Sequence, residues 1–170
     1  MKLNAKIHED LQRALSMELA AVNQYLLHAV VAEDWGLDTL AAKMREELQE
    51  ELAHAKAFAS RILFLKGDPK PQAAKIPQRA QNLETMFEDD LRDEKEAVLF
   101  YTQAAKRAME VDDIGTYNLF AKNALDEEGH MDWLETQLSL LNQLGEATYI
   151  SLQISNSESG KYQTLSSSHV

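Results

Sequence analysis

All three prolines of this 170-residue chain, Pro69, Pro71 and Pro77, fall inside one stretch, and no other feature constrains the fold as much. Proline within a helix removes a hydrogen bond and clashes with the preceding turn, so sequence free of it can run as uninterrupted helix. Four such segments have helix-favouring composition: Ile7 to Asp34, Leu37 to Lys66, Leu83 to Val111 and Ile114 to Leu144. At the α-helical rise each spans about 42 Å. Gly36, Gly67 with Pro69, Asp112 with Asp113, and Gly145 read as the stop signals. Connections of two or three residues make helices one and two, and likewise three and four, antiparallel hairpins. The proline-bearing residues 67–81 reach about 50 Å when extended, enough to run the length of the bundle, so helices two and three can lie parallel. The pattern predicts an all-α four-helix bundle with a long crossover between helices two and three. A short fifth helix is expected from Glu146 to about Ser155, which makes residues 1–155 one domain. The polar, Ser-rich stretch from Asn156 to Val170 has little to bury and is expected to be a disordered tail.

Composition narrows the function. With 45% apolar and 26% charged residues the chain belongs among globular domains with one core. Lys and Arg number 17 against 28 Asp and Glu, a net charge of −11 that repels phosphate and speaks against nucleic-acid or anionic-membrane partners. The absence of cysteine removes disulfides, thiolate nucleophiles and iron–sulfur ligation, leaving His, Asp and Glu as the strong metal-binding side chains. The N-terminus has no apolar signal core and no apolar run approaches the roughly 20 residues a bilayer requires, so a soluble, cytoplasmic protein is expected.

The informative anomaly lies inside the helical stripes, where acids and histidines occupy positions at which an amphipathic pattern calls for Leu or Ile. Helix one reads Leu11, Leu15, Glu18, Val22, Tyr25, Ala29, and helix two reads Leu40, Met44, Glu47, Glu51, His54, Phe58. Helix three reads Leu83, Phe87, Asp90, Glu94, Ala97, Tyr101, and helix four reads Phe120, Asn123, Glu127, His130, Leu134. These polar positions repeat at an offset of 76 residues: Glu18 with Glu94, Tyr25 with Tyr101, Glu51 with Glu127, His54 with His130. The chain reads as a duplicated hairpin, each half carrying one glutamate and one Glu-x-x-His. Folding the halves at Trp35–Gly36 and at Val111–Asp112 puts both sets at one depth near mid-bundle, and His at i+3 shares a helix face with its Glu. Four buried carboxylates would repel and lose hydration unless cations neutralise them. Their formal charge matches two divalent ions, and oxygen donors with one imidazole per ion suit iron or manganese.

Around this set, Tyr25 and Tyr101 lie one heptad beyond Glu18 and Glu94 and can hydrogen-bond a metal-bound carboxylate, with the site role favoured for Tyr25. Glu47, one turn before Glu51, reads equally as an auxiliary ligand and as an exposed acid. Glu46 and Glu50 point off the stripe and read as solvated surface. His8, His28 and His169 lack ligand-spaced partners and read as surface or packing histidines, and Met44 reads as core. A second apolar face, Leu15, Leu19, Val22, Leu26 and Val30 with Leu48, Leu52, Ala55, Ala59 and Ile62, exceeds what one bundle buries and points to subunit contacts.

The segments MELAAVNQYLLHA, RILFLKGDP and DEEGHMDWLETQL resemble the bacterioferritins, ferritin-like di-iron proteins, and the likeness extends over about residues 1–155. That resemblance implies a ferritin-like bundle in a hollow shell of 24 subunits. It implies oxidation of Fe(II) by O2 or H2O2 at an intrasubunit di-iron ferroxidase centre, and storage of Fe(III) as mineral. It further implies that Glu51 and Glu127 bridge the irons while Glu18 with His54, and Glu94 with His130, cap one iron each. Bacterioferritins bind haem between two subunits through a methionine from each, and the matching position here is Leu52, which has no donor atom. Haem is therefore not expected in a homomer, and a mixed shell with a haem-binding, methionine-bearing sister subunit is the route by which haem would enter. The alternative reading is a rubrerythrin-like di-iron peroxidase or oxidase that stores no mineral.

Overall fold

Helix caps and turn geometry set where each element begins and ends. The computed structural model describes residues 4–154, and its elements are α1 (Ala5–Asp34), α2 (Asp38–Phe64), α3 (Leu83–Glu110), α4 (Ile114–Leu144) and α5 (Glu146–Gln153). Asn156 to Val170 and His169 lie outside the described residues. The Asn4 side chain accepts from the amides of Lys6 and Ile7 at 2.9 and 3.3 Å, starting α1. Asn82 and Thr85 form a reciprocal capping box on α3, and the Asp113 carboxylate accepts from Thr116 N at 3.1 Å on α4.

Three helices end on a left-handed residue with the two backbone bonds of a Schellman turn. Gly36, at φ 76°, closes α1, with Gly36 N to Glu33 O and Leu37 N to Ala32 O both at 2.9 Å. At the end of α2 the left-handed residue is Lys66, at φ 66°, one position before the glycine expected there. Gly67 has another reason to lack a side chain, because a Cβ would stand 2.8 Å from the His8 ring. Asp112, at φ 57°, plays the same part after α3.

Residues that meet across helices run in opposite directions. Between α1 and α3, Asp10 meets Arg107, Glu18 meets Tyr101, Tyr25 meets Glu94 and His28 meets Asp90. Between α2 and α4, Glu47 meets His130, His54 meets Asp126 and Arg61 meets Asp113. With both hairpins antiparallel, α2 and α3 lie parallel, as the crossover length anticipates. The crossover is tied down on α1: Gln12 and Lys70 pair reciprocally at 3.1 and 3.0 Å, Ala74 N donates to Ser16 O at 2.8 Å, and Gln24 pairs with the backbone of Gln78 at 2.8 and 2.9 Å.

The apolar core divides in two. One part gathers Leu11, Phe58, Ile62, Phe100 and Phe120, and the other gathers Leu40, Met44, Leu83, Phe87 and Leu134. Each such side chain, fully buried, contributes roughly 1.5–3 kcal/mol, and these two parts clamp the polar layer between them. α5 closes the second part: Tyr149 is buried, lies edge-on to Phe87 and donates to Gln137 Oε1 at 2.8 Å, and burial pushes its hydroxyl up to about 12. The expected second apolar face is smaller than the sequence suggests. Leu15, Ala55 and Ile62 belong to the core, whereas Leu26, Val30 and Leu52 stand about half exposed. Among the described residues no helix is long and apolar enough to cross a membrane.

Candidate metal centre

Glu18 enters the polar layer from α1, Glu51 and His54 from α2, Glu94 from α3, and Glu127 and His130 from α4, and none is more than 6% exposed. Their donor atoms form two sets, each within 4.8 Å: Glu18, Glu51, His54 and Glu127 in one, and Glu51, Glu94, Glu127 and His130 in the other. Glu51 and Glu127 belong to both. His54 Nδ1 lies 3.2 Å from Glu51, 3.3 Å from Glu127 and 4.0 Å from Glu18. His130 Nδ1 lies 2.8 Å from Glu127, 3.2 Å from Glu51 and 3.9 Å from Glu94. The two halves thus approach the centre in nearly the same way, as a duplicated hairpin requires.

The tyrosines cross between halves. Tyr25 Oη donates to Glu94 Oε1 at 2.6 Å, and Tyr101 Oη donates to Glu18 Oε1 at 2.5 Å. Burial, then the carboxylates of Glu94 and Glu18, push these hydroxyls well above their ordinary range, so both remain donors. Each capping glutamate therefore has one oxygen held by phenol.

Electrostatics inside the layer follow from crowding. Burial pushes the Glu18 and Glu94 carboxyls well up, and the charges on Glu51 and Glu127 add to the effect. Burial would raise Glu51 too, but hydrogen-bonding contacts with His130 and His54 hold it down at about 2. Burial disfavours a charged His54, yet Glu127 and Glu51 lift its imidazole to about 10, and Glu127, Glu47 and Glu51 raise His130 in the same sense. Protonated imidazoles offset part of the charge of four clustered carboxylates, a role divalent cations fill with more charge in less volume.

Several of these atoms remain without an aligned hydrogen bond despite ionic neighbours about 3 Å away: Glu51 Oε1, both Glu127 oxygens and both His130 nitrogens. Buried polar atoms are otherwise almost always paired. Converging donors of which several stay unpaired fit a site for cations, and oxygen with imidazole suits iron or manganese.

Beyond the six, the outer nitrogens of the imidazoles also face acids. His54 Nε2 lies 3.3 Å from Asp126, and His130 Nε2 lies 3.0 Å from Glu47 and 3.4 Å from Glu50. Glu47 groups with Glu50 and His130 rather than with either four-residue set. Sequence reasoning passed over Asp126, which lies off the apolar stripes; Glu46 and Glu50 are exposed as expected, although Glu50 still reaches His130. His28 proves to be a fully buried packing histidine with polar partners, its Nδ1 2.9 Å from Asp90 Oδ2 and its Nε2 2.7 Å from Gln24 Nε2. Met44 lies in the core and His8 is half-buried beside Gly67. Between α1 and α3, beneath Ala74 and Lys75 of the crossover, a cavity of about 100 Å³ reaches Glu18, Glu51, Glu94 and Glu127.

A four-helix bundle with this buried carboxylate–histidine layer is the arrangement of ferritin-like carboxylate proteins. Residues 8–144 match the Ferritin-like domain family. The bacterioferritin of Rhodobacter capsulatus is 43% identical over 145 residues, covering 85% of this chain and 90% of the relative. That of Brucella melitensis is 42% identical over 149 residues, covering 88% and 92%. Among solved structures, Rhodobacter capsulatus bacterioferritin, with a metal-free dinuclear site and a heme iron in a crystallographic special position, superposes with a TM-score of 0.89 at 40% identity, covering 93% of this chain and 99% of that one. Mycobacterium tuberculosis bacterioferritin BfrA superposes at 0.88 with 35% identity, covering 91% and 98%. The chain belongs to the bacterioferritin family.

Proposed function

We propose that this protein is an iron-storage ferritin subunit with ferroxidase activity, acting in the cytoplasm as part of a 24-subunit shell. The observation that carries this reading is the pair of four-donor sets sharing Glu51 and Glu127. In it, Glu51 and Glu127 would hold both irons, Glu18 with His54 would hold one, and Glu94 with His130 the other. Iron is the substrate: each Fe(II) gives one electron to O2 or H2O2, and Fe(III) is stored as mineral.

The remaining residues prepare the site for that change of charge. Tyr101 and Tyr25 fix the orientation of Glu18 and Glu94 by donating to one oxygen of each. Fixed donors need no reorganisation when charge on the ions rises, which favours oxidation. The two halves of the apolar core keep bulk water from the layer, and the small side chains Ala20, Ala21 and Ala97 line the cavity that would admit a small oxidant.

Leu52 offers only hydrocarbon, so the residues present do not fit a haem held by a methionine from each of two subunits. The homomer is expected to lack such a haem, and a mixed shell with a methionine-bearing sister subunit is the route by which one would be acquired. The mechanistic test is Glu127→Ala or His130→Ala, followed by stopped-flow Fe(II) oxidation and by sizing of the assembly. Loss of the rapid phase with the shell retained is the expected outcome, and unchanged kinetics in both variants would remove these residues from the reaction.

A further inference from the structure

The duplicated halves supply matching inner donors but unmatched outer ones. His130 Nε2 faces Glu47, which is 2% exposed, whereas His54 Nε2 faces Asp126, whose side chain is 24% exposed. These two acids are not equivalent in the repeat. The residue 76 positions beyond Glu47 is Asn123, a buried neutral amide, and the equivalent of Asp126 in the first half is Glu50. Each acid is in turn paired with a lysine four residues before it, Lys43 with Glu47 and Lys122 with Asp126. Lys43 is one-third exposed and its ammonium lies 5.2 Å from the Trp133 ring centroid, whereas Lys122 is 69% exposed.

An acid behind a ligand imidazole orients the ring and raises its basicity toward metal. The same contact is stronger where water is excluded. We infer that Glu47 and Asp126 are positioning residues acting through His130 and His54, and that they make the two metal positions unequal, with the Glu94–His130 position the tighter. Glu50 does not create this difference, because it groups with His130 on one side and with His54 and Asp126 on the other. Glu47 does, since the other half has no charge at its place. The inference rests on the six-ligand reading above.

Titration of the assembled, metal-stripped protein with Co2+, followed by its visible absorption, tests the inference without turnover. The wild type is expected to bind two ions per subunit in two steps separated by on the order of 10-fold in affinity. Glu47→Gln is expected to weaken the tighter step by on the order of 10-fold and leave the weaker one in place. Asp126→Asn, at the exposed edge where folding is least disturbed, is expected to weaken only the looser step, by a smaller factor. Two equal steps in the wild type, or a Glu47→Gln curve superimposable on it, would overturn the inference while leaving the ligand set standing. Two-ion binding unchanged in His130→Ala would overturn both. Equal weakening of both steps by Glu47→Gln would show a general loosening of the bundle and overturn the inference as well.

Discussion

Asp90 and His28 form a buried polar pair where the other half of the repeat has Ala14 and Ala104, both fully buried. Burial pushes the Asp90 carboxyl up, and the hydrogen bond from His28 only partly counters this. A carboxyl raised in the folded state favours folding while it is protonated. That contribution is present below its ordinary pKa of about 4 and is lost as pH rises through the raised value. Asp90→Asn removes the titration and keeps a polar partner for His28. The thermal midpoint of the variant relative to wild type is therefore expected to climb between pH 4.5 and pH 8; a level or falling difference would show that burial does not penalise this acid. The pair also shows what a sequence hides. Glu18, Glu51, His54, Glu94, Glu127 and His130 were legible because a charged group in an apolar stripe demands explanation. Asp126 was not, because an off-stripe acid is indistinguishable from surface until the ring nitrogen it faces is placed. His28 and Asp90 lie 62 residues apart, and nothing local to either predicts their meeting.

At the level of elements, proline placement and helix-favouring composition foretell the four long helices and Gly145 marks where a short fifth can follow, and the bounds differ from expectation by a few residues at the ends. The C-terminus of α2 is the instructive difference. Glycine is the usual left-handed residue after a helix, so Gly67 drew the expectation, but Lys66 takes that conformation and Gly67 makes room for His8. A side chain on a left-handed residue costs about 1–2 kcal/mol, while glycine gives some of that back through the freedom of its unfolded chain. Lys66→Gly is expected to stabilise the fold by about 0.5–1 kcal/mol. Gly67→Ala is expected to act in the opposite direction, because its new Cβ would stand 2.8 Å from His8 Cδ2 and 3.0 Å from the Ile62 side chain. Chemical denaturation of both variants reads the two signs. A destabilising Lys66→Gly would mean that Lys66 is not the left-handed residue of this turn, and a stabilising Gly67→Ala would mean that His8 and Ile62 make room for the added methyl.

For the whole molecule, the face of α1 and α2 that carries Leu26, Val30 and Leu52 determines what a single chain leaves unfinished. These three are 52%, 54% and 47% exposed. Half-exposed apolar groups on α1 and α2 remain in water unless a second surface covers them, and the proposed shell of like subunits would supply one. The resemblance to bacterioferritins implies a haem-ligating methionine at the position of Leu52, paired with its mate across such a contact. Leucine matches methionine closely in volume and lacks the thioether, so it keeps the packing and removes the ligand. Leu52→Met should therefore leave assembly intact and restore the missing donor on both sides of the contact at once. The expected outcome, with haem supplied during expression, is a Soret band near one haem per pair of subunits in Leu52→Met and no such band in the wild type. A wild-type homomer that already carries that band would mean another side chain ligates the iron. A haem-free Leu52→Met shell would mean that more than the missing sulfur separates this interface from one that holds haem.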